Sequence, residues 1–369
     1  MTLNAQWLGG APGQQLFLVN ANRFYYDSEW FWFDGHDGFI YATGWMAGTS
    51  PPGDAQYMHV WYTPLVQSWT SKRYPTNQPV WNYGGTWGYP IENKQFTHFS
   101  ITDSTSGNAY FTGGKSTYSG EGTCGSIAHP YGFFNHTWKG VYHYGDPFVR
   151  TSSDLVGLGF TPGRCLHRMA ILDGNLYVMG GFSDYTDYPG YIAYHTALND
   201  VWVSDNDGFS YSLCTSHAPW GSRAIFGCTT FDDKIWVIGG ASESYFRNDI
   251  WSSPDGVNWT RELYPLPFHV RFIHGNQPLW WKGKYYIFGF GSQVPAYGWN
   301  DIDVWSSENL VEWSFEGNLN NTDGAYNLVV GNDFIRSIGI VPVNGGNSLF
   351  IGAYGWDLED TANQCIVYR

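Results

Sequence analysis

The sequence predicts an all-β fold, and three observations support it. Aromatic residues make up 19% of the chain and glycine supplies 46 residues, while charged residues account for only 14%, against about 25% in an average protein. A short strand-like run that ends in glycine recurs along the chain. A pair of tryptophans eight residues apart recurs with it. Repeated units of several short strands are typical of a β-propeller, in which each unit forms one blade.

The stretch "ILDGNLYVMGGFSD" (171–184) shows one unit. Asp173-Gly174 predicts a hairpin turn, and the β-branched and aromatic residues from Leu176 to Met179 predict the strand that follows. Two glycines end this strand, which indicates that another backbone approaches closely there. The pattern returns at 232–242, 106–116, 282–292, 36–46 and, more loosely, 346–355. Six copies predict six blades.

A tryptophan pair marks the outer half of the units. Turn-forming sequences such as "SSPDGVNW" separate the two rings. A hairpin of two outer strands is therefore predicted, and it makes each blade a four-stranded antiparallel sheet. The pairs are Trp61 with Trp69, Trp251 with Trp259 and Trp305 with Trp313, while the copy at Trp202 has Ser210 and Tyr211 at the second position.

The order of motifs in each unit resembles the Kelch repeat. An Arg near the first strand is followed by a second strand ending in Gly-Gly, then by "NDVW" or "NDIW" and a later Trp. The segments "RCLHRMAILDGNLYVMGG...NDVW" and "RAIFGCTTFDDKIWVIGG...NDIW" match it well. The first copy lacks the Arg and the second Gly, the second lacks the Arg and the hairpin Trp, and the sixth is degenerate. This resemblance implies a β-propeller. The turn "SSPDGVNW", one residue short, is also similar to the Asp-box of sialidases, which stabilises a turn.

The two ends of the chain predict how the propeller closes. The last residues, "NQCIVYR", match the third strand of the sixth blade, and no residues remain for a fourth. The N-terminal segment "LNAQWLGG" carries Trp7 and is expected to supply that strand, because closure hides sheet edges that would otherwise pair with other chains. Residues 1–369 are thus predicted to form a single Kelch-like propeller domain.

Charge and hydropathy exclude some classes of partner. The formal net charge of −14 repels phosphate backbones, and the 18 Lys and Arg residues form no dense basic run, so nucleic acid is not an expected partner. No run of 18 apolar residues and no signal peptide is visible, which predicts synthesis in the cytoplasm without a membrane span. The five cysteines include no CxxC pair, so no disulfide framework is expected.

Aromatic residues are concentrated in the loops that join second to third strands. In a propeller these loops emerge on the same face as the connections between blades. Flat side chains with a polar edge, held on a rigid scaffold, suit sugar rings or peptide side chains. The alternative is that they only cover the ends of the blades. The candidates are Trp45, Tyr185, Tyr188, Tyr191, Tyr194, Tyr245, Trp299 and Trp356.

A set of arginines is predicted on the same face. Each stands 16 or 18 residues before the glycine that ends a second strand, so four blades begin their innermost strand with a cation. Such a set would bind an anion, since guanidinium groups grip carboxylates through two hydrogen bonds. The alternative is a structural role within the Kelch pattern. The arginines are Arg164 before Gly180, Arg223 before Gly239, Arg336 before Gly352 and Arg271 before Gly289.

Signals for catalysis are few. Resemblance to galactose-oxidase-like Kelch enzymes would imply copper held by Tyr and His, but the Tyr-His pairs at 142–143 and 194–195 are not placed convincingly, so neither a metal nor another cofactor is expected. In a sialidase-like protein Glu121, Glu243 or Asp187 would be recruited. In a sialate-mutarotase-like protein His167 is a candidate acid or base, although a core histidine has the same signature.

The expected function is therefore binding rather than catalysis. The ligand would be a glycan or an acidic protein segment, held by the arginines, His167 and the aromatic loops. A glycan-acting enzyme is the first alternative. A structural subunit of a larger assembly, such as a virion or an appendage, is the second.

Overall fold

A computed structural model of the chain describes residues 2–4, 15–17, 23–24, 32–36, 39–45, 58–63, 70–73, 82–83, 91–92, 95–96, 99–103, 105–116, 135, 137–141, 149–150, 163–183, 187–188, 191–192, 196–242, 245–268, 273, 278–288, 303–318, 335–343, 348–355 and 363–367. Side chains are described within 101–103, 105–114, 135, 137–140, 163–183, 196–242, 245–268, 273, 278–288 and 303–317.

The described elements are all β-strands, which confirms the all-β prediction. In chain order they are β1 (Thr2–Asn4), β2 (Gln15–Phe17), β3 (Arg23–Phe24), β4 (Trp32–His36), β5 (Phe39–Trp45), β6 (Met58–Thr63), β7 (Thr70–Arg73), β8 (Asn82–Tyr83), β9 (Ile91–Glu92), β10 (Gln95–Phe96), β11 (Phe99–Thr102), β12 (Asn108–Thr112), β13 (Lys115–Ser116), β14 (Thr137–Val141), β15 (Val149–Arg150), β16 (Arg168–Leu172), β17 (Asn175–Met179), β18 (Asp187–Tyr188), β19 (Tyr191–Ile192), β20 (Val201–Ser204), β21 (Ser212–Thr215), β22 (Gly227–Phe231), β23 (Lys234–Ile238), β24 (Ile250–Ser253), β25 (Thr260–Leu263), β26 (Leu279–Trp281), β27 (Lys284–Phe288), β28 (Asp303–Ser307), β29 (Ser314–Asn318), β30 (Ile335–Val343), β31 (Ser348–Gly355) and β32 (Asn363–Val367).

Four consecutive sheets of four antiparallel strands form the blades. Blade I contains β11, β12, β14 and β15, and blade II contains β16, β17, β20 and β21. Blade III contains β22 to β25, and blade IV contains β26 to β29. The predicted second strand and outer hairpin are present in each of them. Within the described ranges no helix is long and apolar enough to cross a membrane.

The blade count differs from the prediction: in the part of the chain that the structure describes there are four blades, where the sequence predicts six. Two further four-stranded sheets are formed near the chain ends: the first sheet, with β4 to β7, and the last sheet, with the strand order β3, β32, β31, β30. They correspond to the first and sixth copies of the repeat. These copies depart furthest from the Arg and Gly-Gly pattern that connects neighbouring blades.

The strand that completes the last sheet is N-terminal, as expected, but it is not the predicted segment. Arg23 pairs with Gln364, and Phe24 pairs with Asn363, so β3 adds to β32. The predicted segment instead contributes β1, which pairs with the nearby β2. A partner close in sequence costs less loop-closure entropy than one at the far end of the chain. Trp7 lies outside the described residues.

The chain divides into two compact units. One holds Ser50–Met58 and Arg73–Glu262, and the other holds Met1–Thr49, His59–Lys72 and Leu263–Arg369. In the unit of blades I to III, β16 lies beside both β11 and β22, so the first strands of successive blades are adjacent. In the other unit β30 lies beside β26 and β4. This is a β-propeller arrangement of four-stranded antiparallel blades.

The glycine pairs are the points where one blade meets the next. Gly180 and Gly181 both have positive φ, 60° and 91°. The amide of Gly181 donates to the carbonyl of Arg223 at the start of blade III, over 2.9 Å. A Cβ on Gly180 would lie 2.8 Å from that carbonyl oxygen and 2.7 Å from the ring of Phe226. Glycine is therefore required by both the backbone conformation and the close approach.

The core lies between blades. One buried cluster joins residues of β16, β17 and β20 in blade II to residues of β22 and β23 in blade III. Trp220 lies in the connection between these blades and is buried in this cluster. It contacts Trp259 edge to face, with ring centroids 5.8 Å apart. Phe268 contacts Trp313 in the same way, at 5.5 Å, in the other unit. The hairpin tryptophans thus anchor the connection that enters their blade.

Candidate functional site

The arginines at the start of blades II and III are buried in ion pairs. Arg164 is fully buried and donates from both terminal nitrogens to the carboxylate of Asp200, over 2.6 and 2.7 Å. The same guanidinium donates to the carbonyl of Gly180 over 3.0 Å. Asp200 also accepts from the indole nitrogen of Trp202, over 2.8 Å. One Arg, one Asp and one Trp of the repeat therefore form a closed polar set.

Blade III repeats this set with different residues. Arg223 is fully buried, and its Nη1 donates to Asp249 over 2.8 Å and to the carbonyl of Gly239 over 2.9 Å. Its Nη2 donates to the carbonyl of Trp220, and Asp249 accepts from Trp251 over 2.9 Å. Burial lowers the pKa of Arg223 to about 10, although Asp249 acts in the opposite direction. The group is still a cation at neutral pH.

The structure describes the side chains of two of the four predicted arginines. The guanidinium groups of Arg164 and Arg223 hold carboxylates of their own blades, and neither is exposed. Arg271 lies outside the described residues, although Asp303, in the equivalent third strand, accepts from Trp305 over 2.9 Å. Arg336 is a residue of β30. Direct capture of a ligand by Arg164 or Arg223 would require their internal pairs to open.

His167 lies in the core between blades I and II. It is fully buried, and its Nε2 is 2.7 Å from the hydroxyl of Thr112. Its neighbour Arg168 is also buried and donates to the carbonyl of Phe226 over 2.6 Å, while burial lowers the pKa of that guanidinium to about 10. These groups connect three successive blades and do not face solvent.

Among the aromatic candidates, Tyr245 is the one whose side chain the structure describes, and 72% of the surface of this residue is exposed. Trp45 ends β5, and the backbones of Tyr188 and Tyr191 pair across the short hairpin of β18 and β19. The side chains of these strands are not described. The remaining aromatic candidates lie outside the described residues. They are Tyr185, Tyr194, Trp299 and Trp356.

The loop that carries Tyr245 is fixed by main-chain hydrogen bonds. Ala224 and Ala241 exchange two of them, over 2.7 and 3.0 Å, which fixes the loop to the start of β22. The amide of Ser242 donates to the carbonyl of Tyr245 over 2.8 Å, and the amide of Arg247 donates to Gly240 over 2.8 Å. These hydrogen bonds hold the backbone on both sides of the exposed ring, which reduces the conformational entropy lost when a ligand stacks on it.

Arg247 is a site residue that the sequence reasoning missed. It is partly exposed, and its Nε and Nη2 donate to the carbonyl of Ser222 over 3.3 and 3.0 Å. Among the described residues no partner is seen for its Nη1. A sequence signal did exist, because "RNDI" in blade III corresponds to "LNDV" in blade II, so this cation is peculiar to one repeat.

These residues lie at one end of blade III for a topological reason. Since β22 to β25 are antiparallel, the start of β22 and the loop between β23 and β24 are at the same end of the sheet. Arg247 lies across the connection from blade II, where its guanidinium is 3.2 Å from the Cβ position of Gly221. His217, which is exposed, belongs to the same connection. An aromatic ring and a cation therefore lie at the same end of blade III.

The described groups with perturbed pKa values have structural causes. Burial raises the pKa of Cys228 to about 12 and that of Cys214 to about 11, and both thiols lie in or against the core cluster. Burial also raises the pKa of Tyr211, which is hydrogen-bonded to Thr137. In the part of the chain that the structure describes, no group of three metal-ligating side chains is present.

The fold and the geometry of this site define a protein of the β-propeller class. Comparison with protein-family models gives no match. Comparison with curated proteins gives no match either. The hydrogen-bonded Arg, Asp and Trp groups of blades II and III are a structural signature of its repeat.

Proposed function

We propose that the protein is a six-bladed Kelch-type propeller, one domain over residues 1–369, that acts as a binding module for a glycan bearing an acidic group. The single observation that carries this proposal is that the exposed Tyr245 and the partly exposed Arg247 belong to one loop at the same end of blade III. An aromatic face suits the apolar side of a sugar ring, and a guanidinium suits a carboxylate or sulfate on it.

The Kelch assignment is supported by the recurrence of the Arg, Asp and Trp set. Arg164 and Arg223 both donate to the carbonyl 16 residues later and to the Asp two residues before the Trp of the third strand. The six-bladed form is supported by the two additional four-stranded sheets and by the pairing of β3 with β32. We infer that these sheets complete the propeller.

A glycan fits better than an acidic protein segment. The formal net charge of −14 opposes the approach of a chain with several negative charges. Because Arg164 and Arg223 already hold internal carboxylates, Arg247 is the cation that the described residues offer at this end of blade III. One acidic group on a sugar matches one guanidinium, whereas an acidic peptide would leave further charges unmatched.

The experiment is a glycan-array screen of the full chain, followed by calorimetry with the best glycan. Tyr245→Ala should weaken binding by about 1 to 3 kcal/mol and leave the free energy of unfolding within about 0.5 kcal/mol. Phe209→Ala is the matched control, because this ring is 55% exposed but lies in the outer turn of blade II. Arg247→Gln should weaken acidic glycans and spare neutral ones.

Three results would contradict the proposal. One is an array without any retained glycan. Another is an affinity that Tyr245→Ala and Phe209→Ala change equally. The third is chemical conversion of the bound glycan, observed by NMR, which would favour a glycan-acting enzyme over a binding module.

A further inference from the structure

The guanidinium of Arg247 is held along one edge by the connection from blade II. The carbonyl of Ser222 accepts from its Nε over 3.3 Å and from its Nη2 over 3.0 Å. In a guanidinium, Nε and Nη2 form one edge of the plane, and Nη1 and Nη2 form another. The backbone therefore occupies the first edge, and the described residues give the second edge no carboxylate.

Gly221 lies against the flat face of the same guanidinium. A Cβ on Gly221 would be 3.2 Å from Cζ of Arg247, 3.2 Å from Nη2 and 3.3 Å from Nη1. A group that approached the edge of the plane would be clearly closer to the nitrogens than to the carbon, so these nearly equal distances place Gly221 over the face. They are shorter than an ordinary van der Waals contact. Glycine is therefore the residue that lets the guanidinium lie flat here.

The charges around this connection are unequal. Arg223 donates from Nε to the carbonyl of Gly221 over 3.4 Å and pairs with Asp249. Burial lowers the pKa of Arg223 to about 10, and the positive charge of Arg247 acts in the same direction. The described residues thus place two cations near Gly221, and the carboxylate of Asp249 is held by Arg223. An anion bound at Arg247 would offset the repulsion between the two guanidinium groups.

We propose that Gly221 is a positioning residue for an anion site at Arg247. The contact with Gly221 and the carbonyl of Ser222 fix the guanidinium, so that its Nη1 and Nη2 edge binds two oxygens of one acidic group. This inference rests on the proposed acidic-glycan site and adds the residue that orients its cation. Two parallel hydrogen bonds need a planar pair of donors, so the site selects by geometry as well as by charge.

Sodium acetate tests this edge without any glycan. In the full chain, labelled with ¹⁵N, the Nε–H signal of Arg247 is assigned by its loss in Arg247→Gln. The hydrogen bond to Ser222 should slow exchange of this proton with water and keep the signal visible. Acetate should shift the signal more than sodium chloride of equal ionic strength does. Gly221→Ala displaces the guanidinium and should abolish the acetate-specific shift.

Gly174→Ala is the matched control for this substitution. Gly174 also has a positive φ, 76° against 70° at Gly221, but no atom lies within 4 Å of its Cβ position. The control therefore introduces similar backbone strain without touching a guanidinium. Its Nε–H signal of Arg247 and its acetate-specific shift should equal those of the wild type.

The same variants test the role of Gly221 in glycan binding. The measured quantity is the ratio of the affinity for an acidic glycan to that for its neutral counterpart, both by calorimetry. Gly221→Ala should lower this ratio about tenfold, because hydrogen bonds to a charged group are lost, and should leave the neutral affinity unchanged. In an Arg247→Gln background, Gly221→Ala should change the ratio no further.

Arg247→Lys keeps the inference testable if Gly221→Ala does not fold. Lysine retains the positive charge but lacks the planar pair of donors, and it makes no flat contact with Gly221. The ratio of acidic to neutral affinity should again fall about tenfold. The change in this variant separates the geometry of the cation from its charge.

Three results would overturn the inference. One is a wild-type Nε–H signal of Arg247 that acetate and chloride shift equally, or a folded Gly221→Ala that keeps the acetate-specific shift. Another is a Gly221→Ala variant that loses acidic and neutral glycans equally, since that is a structural effect. The last is an Arg247→Lys variant with the full acidic preference. A glycan array without a retained glycan would contradict the proposed function, while the acetate measurement would still decide the role of Gly221.

Discussion

Neighbouring blades are joined at an inner and an outer contact, and the two use charge differently. At the inner contact, Gly181 donates to the carbonyl of Arg223, whose guanidinium is completely buried and pairs with Asp249, a side chain that is 16% exposed. At the outer contact, Asp207 in the hairpin turn of blade II accepts from Tyr110 of blade I over 2.5 Å and pairs with Lys139 over 2.9 Å. The side chain of Asp207 is 51% exposed.

The difference shows what burial does to an ion pair. A buried charge has lost its water, so its partner and the carbonyls around it become indispensable. An exposed pair remains hydrated and screened, so it contributes little even when its distances are short. The inner contact should therefore be sensitive to single substitutions, and the outer contact should tolerate them.

The largest expected effect is the loss of the carboxylate that pairs with the buried guanidinium of Arg223. Asp249→Ala leaves the charge of Arg223 buried without its ion-pair partner, and the free energy of unfolding should fall by about 3 to 5 kcal/mol in urea denaturation. The double variant Asp249→Leu with Arg223→Met removes both charges and should lose less than the single variant. A single variant that loses under about 1 kcal/mol would show that the inner contact is no different from the outer one.

An intermediate effect is expected at the glycine that admits the neighbouring blade. Gly180 has a positive φ and lies close to the carbonyl of Arg223. Gly180→Ala should therefore lower the free energy of unfolding by about 2 kcal/mol or more. Gly174→Ala is the matched control, because Gly174 has a φ of 76° but no atom within 4 Å of its Cβ position. The control should cost about 1 kcal/mol. Equal losses, measured by urea denaturation, would mean that blade packing does not select this glycine.

The smallest effect is expected at the outer contact and depends on pH. The hydrogen bond from Tyr110, with the charge of Lys139, lowers the pKa of Asp207 below its usual value of 3.8. A lowered folded pKa stabilises the fold above about pH 4, and this contribution is lost as the pH falls through the folded value. Asp207→Asn should therefore lower the free energy of unfolding by under about 1 kcal/mol at pH 7, and by less at pH 3.

Comparing the urea midpoints of the wild type and this variant at the two pH values checks the prediction. A difference that grows on acidification would have the wrong sign. It would mean that Asp207 is stabilised in its protonated form, as an acid that donates a hydrogen bond.

The repeated local patterns were sufficient to predict four-stranded antiparallel blades, although not their number. Asp173-Gly174 forms the predicted turn, with both residues at positive φ, and the run ending at Met179 forms β17. The tryptophan pairs correctly predicted outer hairpins, because a two-strand unit with a turn is specified by residues close in sequence. The closing strand was assigned to the wrong N-terminal segment, because a pairing between chain ends has no local signature.

Only the tertiary structure decided how the charges are used. The sequence placed Arg164 and Arg223 at equivalent positions and left open whether they bind ligand or structure, since the partner of each lies 36 or 26 residues away. Whether a side chain is buried depends on the neighbouring blade, which no pattern within one repeat encodes. For the same reason the placement of Arg247 and the exposure of the Tyr245 ring could be learned only from the structure of the loop and of the connection from blade II. Local sequence thus determines strands and turns, while burial and pairing are properties of the packed blades.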